Sequence, residues 1–136
     1  MVDAELKRQI REKMDTQKFH VEDLPSYLQL FTQLGNSSRD IQEESTAYTK
    51  RIQFLCPGDV QFYIRFDNGK ISASMGTIDH PELTFEMTPP IALGLLSCEI
   101  DATDAYLQGD LKIHGSMTDA IKFCLMVEML REELEE

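Results

Sequence analysis

The sequence predicts an α+β domain: a five-stranded, mainly antiparallel sheet with helices over one face. Three observations carry that prediction. Five segments alternate apolar and polar residues at the period of a strand with one wet face. The first three are joined by turn pairs, Pro57-Gly58 and Asn68-Gly69, short enough to force a meander. The segments before and after them carry helical spacing and capping residues. Strands with a single apolar face need one covering layer, and the helices supply it.

In chain order, Asp3 caps a first helix running to about Met14, with Leu6, Ile10 and Met14 on one stripe four apart. A linker over 16–23 follows. Pro25 suits the first turn of a second helix and Gly35 its exit; Leu24, Tyr27, Leu28, Phe31 and Leu34 form its buried side. A short helix is expected around 38–44. Ile52 and Phe54 then open the sheet. Pro57-Gly58 fits a type II turn, and Val60, Phe62, Ile64 and Phe66 alternate without a break. Asn68-Gly69 accepts the positive φ of a type I′ hairpin, returning the chain through Ile71, Ala73 and Met75. Leu83, Phe85 and Met87 form the fourth strand. Thr88-Pro89-Pro90 opens an apolar helix over Ile91–Leu96, and Asp101 caps a small helix ending at Gly109. Leu111 and Ile113 point inward on the fifth strand, bracketed by Gly109 and Gly115.

The last helix begins at Ser116, an N-cap with Asp119 three residues on. From Ile121 to Leu130 only Lys122 and Glu128 are polar. A helix resting on one sheet needs one apolar stripe, so the surplus must face a second layer, a partner chain or an apolar ligand. The run is far short of the roughly 20 residues that span a bilayer. Glutamates from 132 onward oppose the helix dipole, and that end is expected to fray.

From residue 81 onward the pieces fall in a fixed order: Pro81-Glu82-Leu83-Thr84-Phe85-Glu86-Met87, Ile91–Leu96, Tyr106-Leu107-Gln108-Gly109, Leu111-Lys112-Ile113-His114-Gly115, and the apolar helix from Met117. This order resembles the sterol carrier protein 2 family of lipid-binding domains. The resemblance implies the same sheet-and-helix arrangement with an apolar tunnel between the two layers. Two positions depart from the family pattern. Cys98 stands where a glycine usually precedes the small helix, making a left-handed turn less comfortable. Asp110 replaces a lysine, which removes a basic residue from that loop. The first 45 residues match the family poorly, so 1–45 is expected to be a helical extension packed on a 46–136 core.

Composition narrows the function. The chain of 136 residues is one domain's length, with 42% hydrophobic and 27% charged residues. A net charge of −11 argues against nucleic acid, whose phosphates need Lys and Arg, and against docking on anionic lipid. Cys56, Cys98 and Cys124 form no short-spaced pair, which suits a reducing compartment. The residues after Met1 lack the apolar run of a signal peptide, so a cytoplasmic location is expected. His20, His80 and His114 lie far apart, and no nucleophile elbow, metal spacing or phosphate loop occurs. No catalytic residue, metal or cofactor is therefore expected.

Three readings compete. The first is a non-catalytic carrier of an apolar molecule (fatty acid, fatty acyl-CoA, sterol-like or isoprenoid), lined by Leu93, Leu96, Tyr106, Leu107, Ile113, Met117, Ile121, Leu125 and Met129. Methionine suits a pocket that must fit varied chains. Arg65, Lys112 and Lys122 are the candidates for meeting an anionic head. The second is an interaction protein whose last helix pairs with a partner, most simply a second copy of the chain. The third is an accessory subunit or small enzyme handling a lipid-like substrate with a partner enzyme. No stable membrane insertion is expected under any of them.

Overall fold

The computed structural model describes residues 2–136. It contains α1 (Ala4–Asp15), α2 (Leu24–Ser37), α3 (Arg39–Ser45), β1 (Lys50–Leu55), β2 (Gln61–Asp67), β3 (Lys70–Met75), β4 (Leu83–Glu86), α4 (Pro89–Leu96), α5 (Ala102–Leu107), β5 (Lys112–His114) and α6 (Met117–Leu134). The helix starts follow from their caps. Asp3 Oδ1 accepts from the Glu5 and Leu6 amides, Ser38 Oγ from Ile41, Asp101 Oδ2 from Asp104 and Ser116 Oγ from Asp119.

The sheet order is β3-β2-β1-β4-β5. β1–β2, β2–β3 and β4–β5 are antiparallel, and β1–β4 is the one parallel pair. Asn68 and Gly69 both have positive φ, 50° and 92°, and close the β2–β3 hairpin with Asp67 opposite Lys70. Gly58, at φ 76°, serves the type II turn, in which the Asp59 amide donates to the Cys56 carbonyl. Ile52, Phe54, Phe62, Ile64, Phe66, Leu83 and Phe85 are all buried on the helix-covered face. On the opposite face Gln53 is buried too. Its amide donates to the Phe62 and Gly76 carbonyls and accepts from the Ile78 amide, pinning the β3–β4 connection across the sheet.

One end of the sheet is closed tightly by α2. Gly35 does not end this helix, as the sequence suggested. It lies inside it, where a Cβ would come within 2.5 Å of Ile71 Cδ1, so the glycine permits the close approach of β3. The next residue, Asn36, donates to the Ile71 carbonyl at 2.8 Å and accepts from the Ile71 amide at 2.9 Å, as a neighbouring strand would. Gln42 Nε2 then donates to the carbonyls of Gly35 and Gly69, tying α3 to the helix and the hairpin.

The seam between β1 and β4 is fastened by Arg51 and Glu82. The Arg51 amide and guanidinium both donate to the Glu82 carboxylate, at 2.6 and 2.7 Å, while the Glu82 amide donates to the Arg51 carbonyl. The expectation of a frayed C-terminal end changes. The C-terminal turn is anchored: Leu134 is fully buried, and Lys7 Nζ donates to the Glu136 carbonyl. Cys56, beside the Pro57-Gly58 turn, is buried, and that burial, with Asp59 nearby, pushes its thiol up to about 11.

Candidate functional site

The central feature is an apolar cavity of about 200 Å³ between the sheet and α6. Its floor is aromatic. Phe54 and Phe62 stack at 4.6 Å with planes 8° apart, because they stand directly opposite each other in the β1–β2 register. Phe85, one strand over, packs at 5.3 Å from Phe54. Phe123 of α6 closes from above, 5.4 Å from Phe54 and 5.7 Å from Phe85. Met87, Ala92, Leu95 and Leu96 form the α4 side and Val127 continues the α6 side. The sheet alternation and the buried stripe of α6 thus converge on one apolar chamber.

The chamber opens where α4 passes into α5. There the lining residues are Cys98, Glu99, Ile100, Asp101 and Ala102, facing Cys124 and Glu128 of α6. Cys98, Glu99, Asp101 and Glu128 are exposed, so this side is the mouth. Gly94 makes the turn compact, since a Cβ there would collide with the Ile100 side chain. Cys98 adopts φ 64°, the left-handed conformation foreseen as uncomfortable for a residue with a Cβ. Desolvation against the cavity wall, which the Cys98 sulfur feels although the residue reaches solvent, then Glu128, pushes the Cys98 thiol up to about 11 and the Cys124 thiol up to about 12. Both are therefore neutral thiols at physiological pH. Cys124 is half-buried in the cavity wall.

Ile100 also borders a second, shallower hollow of about 370 Å³, between the α1–α2 connection and α4. Met14, Phe19, His20, Pro90, Leu93 and Ser97 line that side. The two spaces share Glu99 and Ile100.

The nine sequence-nominated residues fall in distinct places. Leu96 lines the cavity and Leu93 the second hollow. Ile113 is half-buried at the sheet edge, opposite Phe85 in the β4–β5 register. Tyr106, Leu107, Met117, Ile121 and Leu125 are exposed, Leu107 at 75% and Ile121 at 63%. They account for every exposed large hydrophobic residue among the described residues. Met117, Ile121 and Leu125 follow one another at four-residue steps along α6. Met129 is half-buried and lines neither space. The aromatics Phe54, Phe62 and Phe85 of the floor and Phe123 above them were missed because each reads as ordinary core; only the three-dimensional convergence distinguishes them.

The candidates for an anionic head do not reach the cavity. Arg65 pairs with Asp67 at 3.6 Å, Lys122 lies 5.6 Å from the Tyr48 ring centre, and Lys112 faces a separate surface hollow with Asp59, Glu86 and Asp110. Among the described residues, no three His, Cys, Asp or Glu side chains gather as a metal site, and no helix is long and apolar enough to cross a membrane.

A sequence profile described as the SCP-2 sterol transfer family matches residues 28–125. The search of curated proteins gives no match. Among solved structures, the stereoselective inverting sec-alkylsulfatase Pisa1 from Pseudomonas sp. superposes with a TM-score of 0.64 at 12% identity. That alignment covers 81% of this chain and 16% of the sulfatase, so the chain spans a small part of that protein's length. The sterol carrier protein domain 2 of Helicoverpa armigera gives 0.62 at 19% identity, covering 78% of this chain and 86% of that one. Palmitated SCP2L2 from Aedes aegypti gives 0.60 at 15% identity, covering 80% and 95%. Similarity at these identities shows the shared fold.

Proposed function

The chain belongs to the SCP-2 sterol transfer family, and from that premise we propose that it binds and transfers an apolar, lipid-like molecule without catalysing a reaction on it. The observation that carries this reading is the aromatic-floored cavity between sheet and α6. That the Aedes aegypti protein of the same fold is described as palmitated supports an apolar chain as ligand. The ligand classes considered are fatty acids, fatty acyl-CoA, sterol-like molecules and isoprenoids. Leu96 belongs to the wall with the four phenylalanines. Tyr106, Leu107, Ile113, Met117, Ile121 and Leu125 form an apolar approach along the open edge, and Leu93 receives a chain that passes Ile100. Residues 1–45 act as a helical cover on the 46–136 unit, and the protein works in the cytoplasm.

Size and energy bound the affinity. A cavity of about 200 Å³ is below the ~300–1,000 Å³ of typical ligand pockets. A long chain therefore needs Ile100 or an α6 side chain to shift. A 16-carbon chain offers about 12 kcal/mol at ~0.8 kcal/mol per methylene, against association costs of about 4–15 kcal/mol. Dissociation constants of roughly micromolar order follow. Native mass spectrometry of the purified protein, with organic extraction of the same sample, tests the reading. An apolar molecule should co-purify or be taken up when offered. Ile100→Ala should join the two spaces and shift preference toward longer chains. A protein that arrives empty and refuses every apolar chain offered is not a carrier.

A second reading is favoured by the exposed Met117, Ile121 and Leu125 stripe, which suits an isologous α6–α6 homodimer. Light scattering at micromolar concentration separates it: a monomer removes the dimer reading, and a dimer leaves the cavity free to bind.

A further inference from the structure

We infer that the cavity selects its ligand by head charge, admitting an apolar chain with a cationic or neutral head and refusing one that ends in a carboxylate or phosphate. The inference rests on the carrier reading above and narrows its ligand classes to the sterol-like and isoprenoid molecules and other chains without an anionic head, away from free fatty acids and fatty acyl-CoA. The mouth carries three carboxylates: Glu99 and Asp101 on the α4–α5 connection and Glu128 facing them from α6. None of the three forms an ion pair among the described residues. Asp101 Oδ2 is engaged only as the cap of the Asp104 amide.

The cation next along α6, Arg131, is already committed. Its guanidinium meets Asp15 at 2.9 Å and Glu135 at 2.6 Å, and its Nε donates to the Ser97 carbonyl. The lysines and arginines that could have met an anion lie elsewhere, as described above. The Cys98 and Cys124 thiols at the mouth, raised by desolvation and by Glu128, bring no charge to it. A chain seated on the phenylalanine floor leaves its head among these groups. A carboxylate there adds a like charge beside a low-dielectric wall, which strengthens the repulsion; an ammonium gains attraction from the same field.

The test uses a matched series on the full chain: dodecylamine, dodecanol and dodecanoate, each below its micelle concentration, titrated calorimetrically at neutral pH and low salt. The chain is constant, so the head decides the order. Dodecylamine should bind roughly tenfold or more tighter than dodecanoate, with dodecanol between, and added salt should compress the spread. The double variant Glu99→Gln/Glu128→Gln, both positions exposed, should shrink the gap several-fold with an unchanged melting curve. A control removing two charges away from the cavity, Glu22→Gln/Asp40→Asn, should leave it. Dodecanoate binding as well as dodecylamine overturns the inference while keeping the carrier. A gap that responds equally to the remote pair also overturns it, because net charge rather than the mouth is then responsible. Failure of all three ligands to bind is a separate result: it removes the carrier reading, and this inference with it.

Discussion

The two ends of the sheet are built on opposite terms. At the β3 end, α2 lies so close that a side chain at 35 would have to displace the tip of Ile71, and the Asn36 side chain completes the strand's hydrogen bonding. At the β5 end, the edge strand is only three residues long, and five large apolar side chains of the flanking α5 and α6 remain exposed. Both ends use apolar residues at regular spacing, yet only one buries them fully. The closed end holds the fold together. The open end has apolar surface that folding has not consumed, which is what a binding site for an apolar chain requires.

The sharpest way to break this contrast is at Phe31. It is fully buried and packs near 6 Å from the rings of Tyr27, Phe66 and Phe123. Phe31→Ala should cost about 3–5 kcal/mol in denaturant unfolding. A loss under about 1 kcal/mol would mean that the closed end does not carry the stability assigned to it. Gly35→Val comes next. Its branches must displace Ile71, which sits in a filled core, so about 1–3 kcal/mol should be lost. Neutral behaviour would show that α2 can lift from β3.

On the open side the expected effects are smaller. Cys98→Gly relieves a left-handed residue and should raise stability by up to about 1 kcal/mol, read as an upward shift of the melting temperature. At the seam between the halves, the Arg51 side chain's hydrogen bond holds the Glu82 carboxyl down to about 2. A depressed carboxylate contributes stability above its unfolded value of about 4.3, and that contribution is lost as pH falls from there toward 2. The parent protein should therefore lose melting temperature more steeply over that acid range than Glu82→Gln; parallel curves would dismiss the seam's role. The smallest stability effect is expected at Leu125, 40% exposed on α6. Leu125→Asp should move stability by only about 0.5 kcal/mol, yet weaken uptake of an apolar ligand. A loss of several kcal/mol would place Leu125 in packed core and close the open end.

Much of the framework was legible because it is local. Strand parity, the Asn68-Gly69 turn and the caps at Asp3, Ser38, Asp101 and Ser116 are decided within a few residues. The surplus of apolar side chains on α6 was legible too, and part of it does face outward. Gly35 misled because glycine commonly ends a helix, whereas here its reason lies 36 positions away at Ile71. The cavity floor was invisible because a phenylalanine pointing inward from a strand looks the same whether it meets a neighbour or a void. The acidic mouth was hidden for a related reason: Glu99 and Asp101 become neighbours of Glu128 only when α6 folds back over the α4–α5 connection.

Asn36 has a consequence beyond stability. An edge strand with unpaired backbone groups is a template on which another chain can add a strand, and from there aggregates grow. By occupying both the amide and the carbonyl of Ile71, Asn36 removes that template in the first part of β3. The opposite edge, β5, is only three residues long and offers little to copy. The large apolar side chains left exposed among the described residues all lie on α5 and α6, where contacts lack the register that lets sheets propagate.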